Sequence, residues 1–304
     1  FASSAIPALI LLVGMFFLPE SPRWLLSAGK KKRARKALSA LRRNKSIDAE
    51  WNHILYTLAQ EPEQGRWQDL LKKPLLPVLA LGVILFCLQQ LSGINVIIYY
   101  APEIFKHLGF DNKIGQILAT LGIGLVNVLV TIISLFYLDR IGRRKLLLLG
   151  FAGTSLSLGV MSLFSQHPVP GIEFLSVVCL SVYIFSFAIS IGPVPHIAMS
   201  EIFPLHVRGA GMGLSSMSNW GFNTLMVFSF PLMNAHLGIA ATFEIYAAIC
   251  MMGFFYTWYW MPETKNLSLE SIEDYLMSGH SLRLLGREMV EPPFVEKEPQ
   301  KAAM

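Results

Sequence analysis

Charge is what this chain has least of. Asp, Glu, Lys and Arg together make up 15% of its 304 residues, against about 25% in soluble domains. With 53% hydrophobic residues and a mean hydropathy of +0.50, the composition excludes an ordinary soluble protein and fits a lipid bilayer. Cysteine is scarce as well. Cys87, Cys179 and Cys250 lie far apart within apolar runs, so they form neither a metal spacing nor a disulfide framework and are expected to pack as small apolar residues. The sequence holds no nucleophile–base constellation, no His/Cys metal cluster and no phosphate-cradling glycine loop. An enzyme is therefore not expected, nor a cofactor. A signal peptide is also missing: Phe1 opens directly in an apolar run, and the chain is expected to begin inside a membrane helix.

What the sequence does have is long apolar runs. Seven are candidate membrane spans, at about residues 1–18, 75–100, 114–138, 145–165, 173–199, 210–233 and 238–261. The fold expected is all-α and polytopic. Basic residues alternate across these spans. Of 25 Lys and Arg, 23 fall in residues 19–73, 139–145, 201–209 and 262–304, and only Lys106 and Lys113 fall on the other side. This asymmetry puts the 19–73 loop and the C-terminus in the cytoplasm, with 101–113, 166–172 and 234–240 facing out.

The 19–73 loop is expected to form helices of its own. Ala34, Ala37, Leu38 and Leu41 recur at helical spacing beneath a basic face of Lys30, Lys31, Lys32, Arg33, Arg35 and Lys36. Beside a membrane span, that face suits anionic lipid headgroups better than nucleic acid. A second helix is expected over Asp48–Leu58, stopped near Glu61-Pro62. The tail beyond Tyr275 is polar and expected to be loosely ordered.

One span carries amides where amides are costly. In the run from Leu75 to Phe105, Gln89 lies roughly 21 Å along the helix, near the middle of a hydrocarbon core about 30 Å thick. Gln89, Gln90, Ser92, Gly93 and Asn95 find no water there, so they must face a partner helix or a wet cavity. If the six complete spans are grouped in triplets, the first helix of each is interrupted. The break is Ser92-Gly93 in the first and Gly192-Pro193-Val194-Pro195 in the second. Matched interruptions in a three-plus-three inverted repeat point to a transporter's binding site.

These residues resemble the sugar porter family of the major facilitator superfamily, specifically its C-terminal half. The ordered matches are Pro19-Glu20-Ser21-Pro22-Arg23-Trp24-Leu25, Gln89-Gln90-Leu91-Ser92-Gly93-Ile94-Asn95 with Tyr99-Tyr100, and Asp139-Arg140-Ile141-Gly142-Arg143-Arg144. Gly192-Pro193-Val194-Pro195, Ser200-Glu201-Ile202-Phe203-Pro204 with Arg208-Gly209, Ser218-Asn219-Trp220 and Pro262-Glu263-Thr264-Lys265 follow in sequence. The resemblance implies a truncated sixth transmembrane helix at 1–18, a cytoplasmic helical loop at 19–73, a six-helix bundle at 74–262 and a cytoplasmic tail at 263–304. The partnering N-terminal six-helix half lies outside this chain.

By the same resemblance the function is monosaccharide transport, of a hexose or pentose, by alternating access with proton symport. The rival is a sugar sensor or a non-transporting half built on the same fold. Gln and Asn suit a neutral sugar because a carboxamide both donates and accepts without charge. The implied contacts are Gln89, Gln90, Asn95, Asn127 and Asn219, with the aromatic rings of Phe187 and Trp220 covering the sugar's C–H face. Each amide taken alone reads first as interhelical glue, and it is the five together at motif positions that read as sugar contacts. His196 stands where the family usually has Trp, and it is open to hydrogen-bonding a hydroxyl, taking a proton or packing at the inner mouth.

The charged motifs are expected to form an inner gate from Glu20, Arg23, Arg143, Arg144, Glu201, Arg208 and Glu263. Their carboxylate–guanidinium pairs would be weak if exposed. Tyr99 and Tyr100 resemble an outer lid, with an interfacial aromatic belt as the alternative. Glu173 and Glu244 can both reach the outer interface, which makes proton coupling their lesser reading. Short outer loops without an N-x-S/T acceptor favour a bacterial inner membrane.

Overall fold

The computed structural model describes residues 5–42, 47–60, 66–166 and 170–286, and among them every regular element is helical. The chain forms two compact units, residues 1–64 and 65–304.

In the first unit, α1 (Ala5–Phe17) is an apolar helix with no buried side chain. Pro22 opens α2 (Pro22–Ser27) at a position where its missing N–H costs nothing. Next come α3 (Lys31–Leu41) and α4 (Asp48–Gln60). Leu25, Leu26, Ala34 and Ala37 form a small core against Trp51 and Ile54, as the spacing required. Leu41 departs from that stripe and is 53% exposed, because it is the last residue of α3 and points past the end of the contact. The Arg42 guanidinium grips Glu50 with both arms, at 2.6 and 2.7 Å, and Arg35 reaches Asp48 at 2.9 Å. The hydrogen bond from Arg42 holds the Glu50 carboxyl below its ordinary range. The stop expected near Glu61-Pro62 lies outside the described residues, as does the tail beyond Gly286.

The second unit is a bundle. A short turn, Trp67–Leu71, buries Leu70 in the bundle core and leads into α5 (Leu76–Leu91), α6 (Ile94–Tyr99) and α7 (Ala101–His107). Then come α8 (Lys113–Ile141), α9 (Arg143–Gln166) and α10 (Ile172–Ser186). A π-helical turn at Phe187–Ile191 separates α10 from α11 (Val194–Ile202). The last long element is α12 (Arg208–Trp260), followed by α13 (Leu269–Met277) and a 3-10 turn at Leu282–Leu284. The segment just beyond Tyr275 is thus more regular than its polarity predicts.

Among the described residues, five helical stretches are long and apolar enough to cross a membrane: 76–99, 113–138, 143–166, 172–202 and 208–260. The last has 53 residues and would be about 80 Å long if straight, far more than one bilayer core of about 30 Å. Its one non-helical residue, Gly238 (φ 79°, ψ 167°), divides it into two arms. The two spans expected at 210–233 and 238–261 are these arms, joined by a single residue instead of a loop at 234–240. The first arm packs on α5, the second on α9. Close approach in the bundle relies on small residues: a Cβ at Gly253 would lie 2.5 Å from the Phe151 ring, and Ser155 donates to the Ala247 carbonyl at 2.9 Å.

Candidate functional site

Both helix interruptions exist, and one side chain ties them together. The break after α5 falls at Ser92-Gly93, where Gly93 adopts φ +88°. A side chain is excluded there twice over, since its Cβ would meet the Tyr246 ring at 2.5 Å. The break after α10 leaves carbonyls open. Ile191 would normally accept from the N–H four residues on, but that residue is Pro195, which has none. Gln89 replaces it: Nε2 donates to the Ile191 carbonyl at 2.7 Å and to the Gly192 carbonyl at 2.8 Å. From the opposite side, the Tyr183 phenol donates to the Ser92 carbonyl at 3.0 Å.

The same device recurs nearer the α6–α7 end. Pro231 lies inside α12, so the Val227 carbonyl lacks its helical donor, and the Tyr100 phenol donates to it at 3.3 Å. The Tyr100 ring lies 4.9 Å from that of Phe230. Tyr100 is therefore anchored, whereas its neighbour Tyr99 is exposed.

From Gln89 a chain of carboxamides crosses to the first arm of α12. Asn219 Nδ2 donates to Gln89 Oε1 at 2.6 Å, and Gln90 Nε2 donates to Asn219 Oδ1 at 2.9 Å. Asn95 Nδ2 donates to Gln90 Oε1 and to Asn223 Oδ1, both at 2.9 Å. Four of the five predicted amides thus meet. Asn223 joins them and was missed by the sequence reading, although it follows Asn219 by four residues and so lies on the same helix face.

Gln89 is only 4% exposed, with both N–H groups and its oxygen engaged. Among the described residues two carboxamide atoms have no partner, Asn95 Oδ1, an acceptor, and Asn223 Nδ2, a donor, and Gln90 Nε2 keeps one N–H unused. The inner part of the network is interhelical glue and its outer edge is open chemistry.

The other predicted contacts are placed differently. Asn127 is half-buried on α8 and takes no part in the network; its carbonyl accepts from Thr131 at 2.7 Å. Phe187 is buried and stacks on Tyr183 at 6.4 Å. Trp220 is 65% exposed, because one residue past Asn219 turns it about 100° around the helix. His196 is exposed, with its ring edge-on to Phe86 at 4.6 Å and Nδ1 3.3 Å from the Gly192 carbonyl.

At the opposite end of the bundle, a polar cluster joins α9, α11 and the segment after α12. Arg143 Nη2 donates to Glu201 Oε1 at 2.7 Å, and Thr264 donates to Glu201 Oε2 at 2.6 Å. Glu263 Oε1 accepts the Arg143 backbone N–H at 3.0 Å and so caps the start of α9. A Cβ at Gly142 would sit 2.6 Å from that carboxylate.

The Arg143 and Glu201 side chains are 10% and 20% exposed. This pair is therefore largely buried, contrary to the expectation of exposed, weak pairs. Arg208 does not join it: its Nε donates to the Phe203 carbonyl at 3.1 Å. Arg144 donates to the Trp258 carbonyl at 2.5 Å. Glu20 and Arg23 belong to the first unit.

The chain is similar to known proteins in sequence and in fold. The family profile described as "Sugar (and other) transporter" matches residues 1–276. The chain is 38% identical to the galactose-proton symporter of Escherichia coli (strain K12), with 92% of this chain and 61% of that protein aligned. It is 36% identical to the D-xylose transporter of Levilactobacillus brevis, over 89% of this chain and 59% of that one. The inward open structure of the xylose transporter XylE from E. coli superposes with a TM-score of 0.73 at 28% identity, covering 90% of this chain and 56% of that one. The chain spans about 60% of the length of the relatives it matches.

Proposed function

Because the chain belongs to the sugar transporter family of the major facilitator superfamily, an integral-membrane family of carriers and not of enzymes, we propose that it forms one helical half of a monosaccharide carrier. The carrier works by alternating access in a bacterial inner membrane, in symport with protons. The observation that carries this reading is the carboxamide chain from Gln89 to Asn223, whose outer edge keeps an acceptor on Asn95 and a donor on Asn223. A sugar hydroxyl both donates and accepts, so one hydroxyl placed there satisfies both atoms.

Uncharged amides suit a neutral solute, because a charge in this position would be costly in lipid. Trp220 and His196 are exposed, and in this reading they border the space that an opposing bundle would share. Asn127 and Phe187 belong to the same proposed pocket wall. The basic 19–73 loop and the Arg143–Glu201–Thr264 cluster lie on the cytoplasmic side. There the cluster serves as the inner gate, and Tyr99 is the mobile member of the outer lid.

Uptake of radiolabelled galactose and xylose into proteoliposomes, with and without an imposed proton gradient, tests the proposal. Accumulation that collapses with a protonophore supports symport, and gradient-independent equilibration makes the carrier a facilitator. Binding without uptake would replace transport with a sugar-sensing role. The absence of both binding and uptake for every hexose and pentose would remove the sugar reading.

A further inference from the structure

A groove of about 730 Å³ opens where α5 begins, α12 ends and the chain runs on from α13 into the 3-10 turn. Its floor is apolar. Leu76, Ala80 and Ile84 recur every four residues along one face of α5, and all three are exposed. Nothing among the described residues covers this stripe. Trp260 stands at its edge, 52% exposed, as an aromatic side chain does where hydrocarbon gives way to headgroups.

The mouth is basic. Lys73, His280 and Arg283 line it, and among the described residues no Asp or Glu does. Neighbouring Lys72 is already paired with Asp69 at 2.8 Å, but neither Lys73 nor Arg283 has a carboxylate partner among the described residues. Arg283 is held in place by another interaction, its guanidinium lying 3.7 Å above the Tyr259 ring. That contact uses the flat face and leaves the N–H edge for an anion. The start of α5 adds its own partial positive charge at the same end.

An exposed apolar channel ending in two cations without carboxylate partners among the described residues has the shape and polarity of an anionic amphiphile. We propose that the groove binds one anionic glycerophospholipid from the adjoining leaflet. Its phosphate sits between Lys73 and Arg283, and one acyl chain lies along Leu76, Ala80 and Ile84. Arginine grips a phosphate with two parallel hydrogen bonds and lysine adds a point charge. Zwitterionic lipids are disfavoured because no carboxylate lines the mouth to receive their ammonium group. This site is separate from the amide network and does not depend on which solute the carrier moves.

Native mass spectrometry of the full chain in detergent, titrated with phosphatidylglycerol or phosphatidylcholine, tests the site. The expected result is one phosphatidylglycerol per chain, bound at lower concentration than phosphatidylcholine. The double variant Lys73→Gln/Arg283→Gln should need roughly 10- to 30-fold more phosphatidylglycerol and lose the preference. Lys72→Gln should bind as the native chain does, because that charge is internally paired. Ala80→Trp, which fills the channel without altering charge, should weaken both lipids, and melting curves in the same detergent confirm that each variant is folded.

Equal binding of the two lipids to the native chain would overturn the proposal. So would a preference that survives the double variant, or an equal loss in Lys72→Gln, which would signal diffuse surface attraction only. Residues 287–304 carry four glutamates. If phosphatidylglycerol binds only after that segment is deleted, the groove belongs to the chain's own C-terminal segment and the lipid proposal fails.

Discussion

The carboxamide of Gln89 stands in for the backbone N–H that Pro195 lacks, reaching the Ile191 carbonyl at 2.7 Å from a different helix. A buried carbonyl left without a donor costs about 1–3 kcal/mol. Gln89→Ala is therefore expected to lower thermal stability in detergent, and not to act on sugar affinity alone. Pro195→Ala returns an N–H to position 195. If the substitution works as described, the cost of Gln89→Ala will be smaller in the Pro195→Ala background, and a double-mutant cycle will show coupling above about 0.5 kcal/mol. Simple additivity would break this account.

Asn223 and Asn95 are placed to separate function from folding. Each keeps one carboxamide atom without a partner among the described residues at the edge of the network, so Asn223→Ala should weaken sugar binding by roughly tenfold, the worth of about one hydrogen bond. Its melting temperature should change less than that of Gln89→Ala. Isothermal titration with galactose and with xylose, alongside the melting curve, checks both halves of this prediction.

The Arg143–Glu201 pair is buried enough for its loss to be felt. Removing one partner of such a pair costs about 3–5 kcal/mol because the other charge is stranded. Arg143→Ala should therefore be markedly less stable than Arg143→Ala/Glu201→Gln, in which no charge remains unpaired. Equal stability of the single and double variants, measured by thermal unfolding, would mean the pair is effectively solvated.

Gly93→Ala should destabilise by more than the roughly 1–2 kcal/mol of a left-handed non-glycine residue, since its Cβ also meets the Tyr246 ring. Tyr246→Ala in the same chain should recover the steric part only. Chemical unfolding of the two variants and their combination gives the partition.

The pairing of α3 with α4 carries a pH dependence. The Glu50 carboxyl is held below its ordinary range by Arg42. A depressed carboxyl stabilises the pairing at pH above its unfolded value of about 4.3. That contribution fades as pH falls further, through the lowered value. Hydrogen exchange in residues 31–41 and 48–60, corrected for intrinsic rate, should accelerate below about pH 4. Glu50→Gln should show the faster exchange already at neutral pH.

Much of this was legible in the order of residues, for identifiable reasons. Spans announce themselves because lipid demands long apolar runs, and the Ser92-Gly93 and Pro193-Pro195 breaks because glycine and proline alter backbone options locally. The meeting of Gln89, Gln90, Asn95 and Asn219 followed from motif positions.

What escaped was the direction in which side chains point and what they choose as partners. Asn223 was overlooked because it belongs to no motif, only to a helix face. Trp220 lies next to Asn219 in sequence but turns away by a third of a helical circuit. Glu201 could have chosen Arg208, seven residues along the chain, yet it takes Arg143, which becomes its neighbour only when α9 and α11 converge. Pro231 hinted at a lost hydrogen bond, but nothing local said that Tyr100 would supply it.

The break at Gly238 leaves no slack between the two arms of α12. One extra residue beside it would turn the whole following arm by about 100° and carry Tyr246 off Gly93, disturbing the site from its far side. Epitope tags or grafted segments intended to map topology should be tolerated here only if they preserve the residue count and phase.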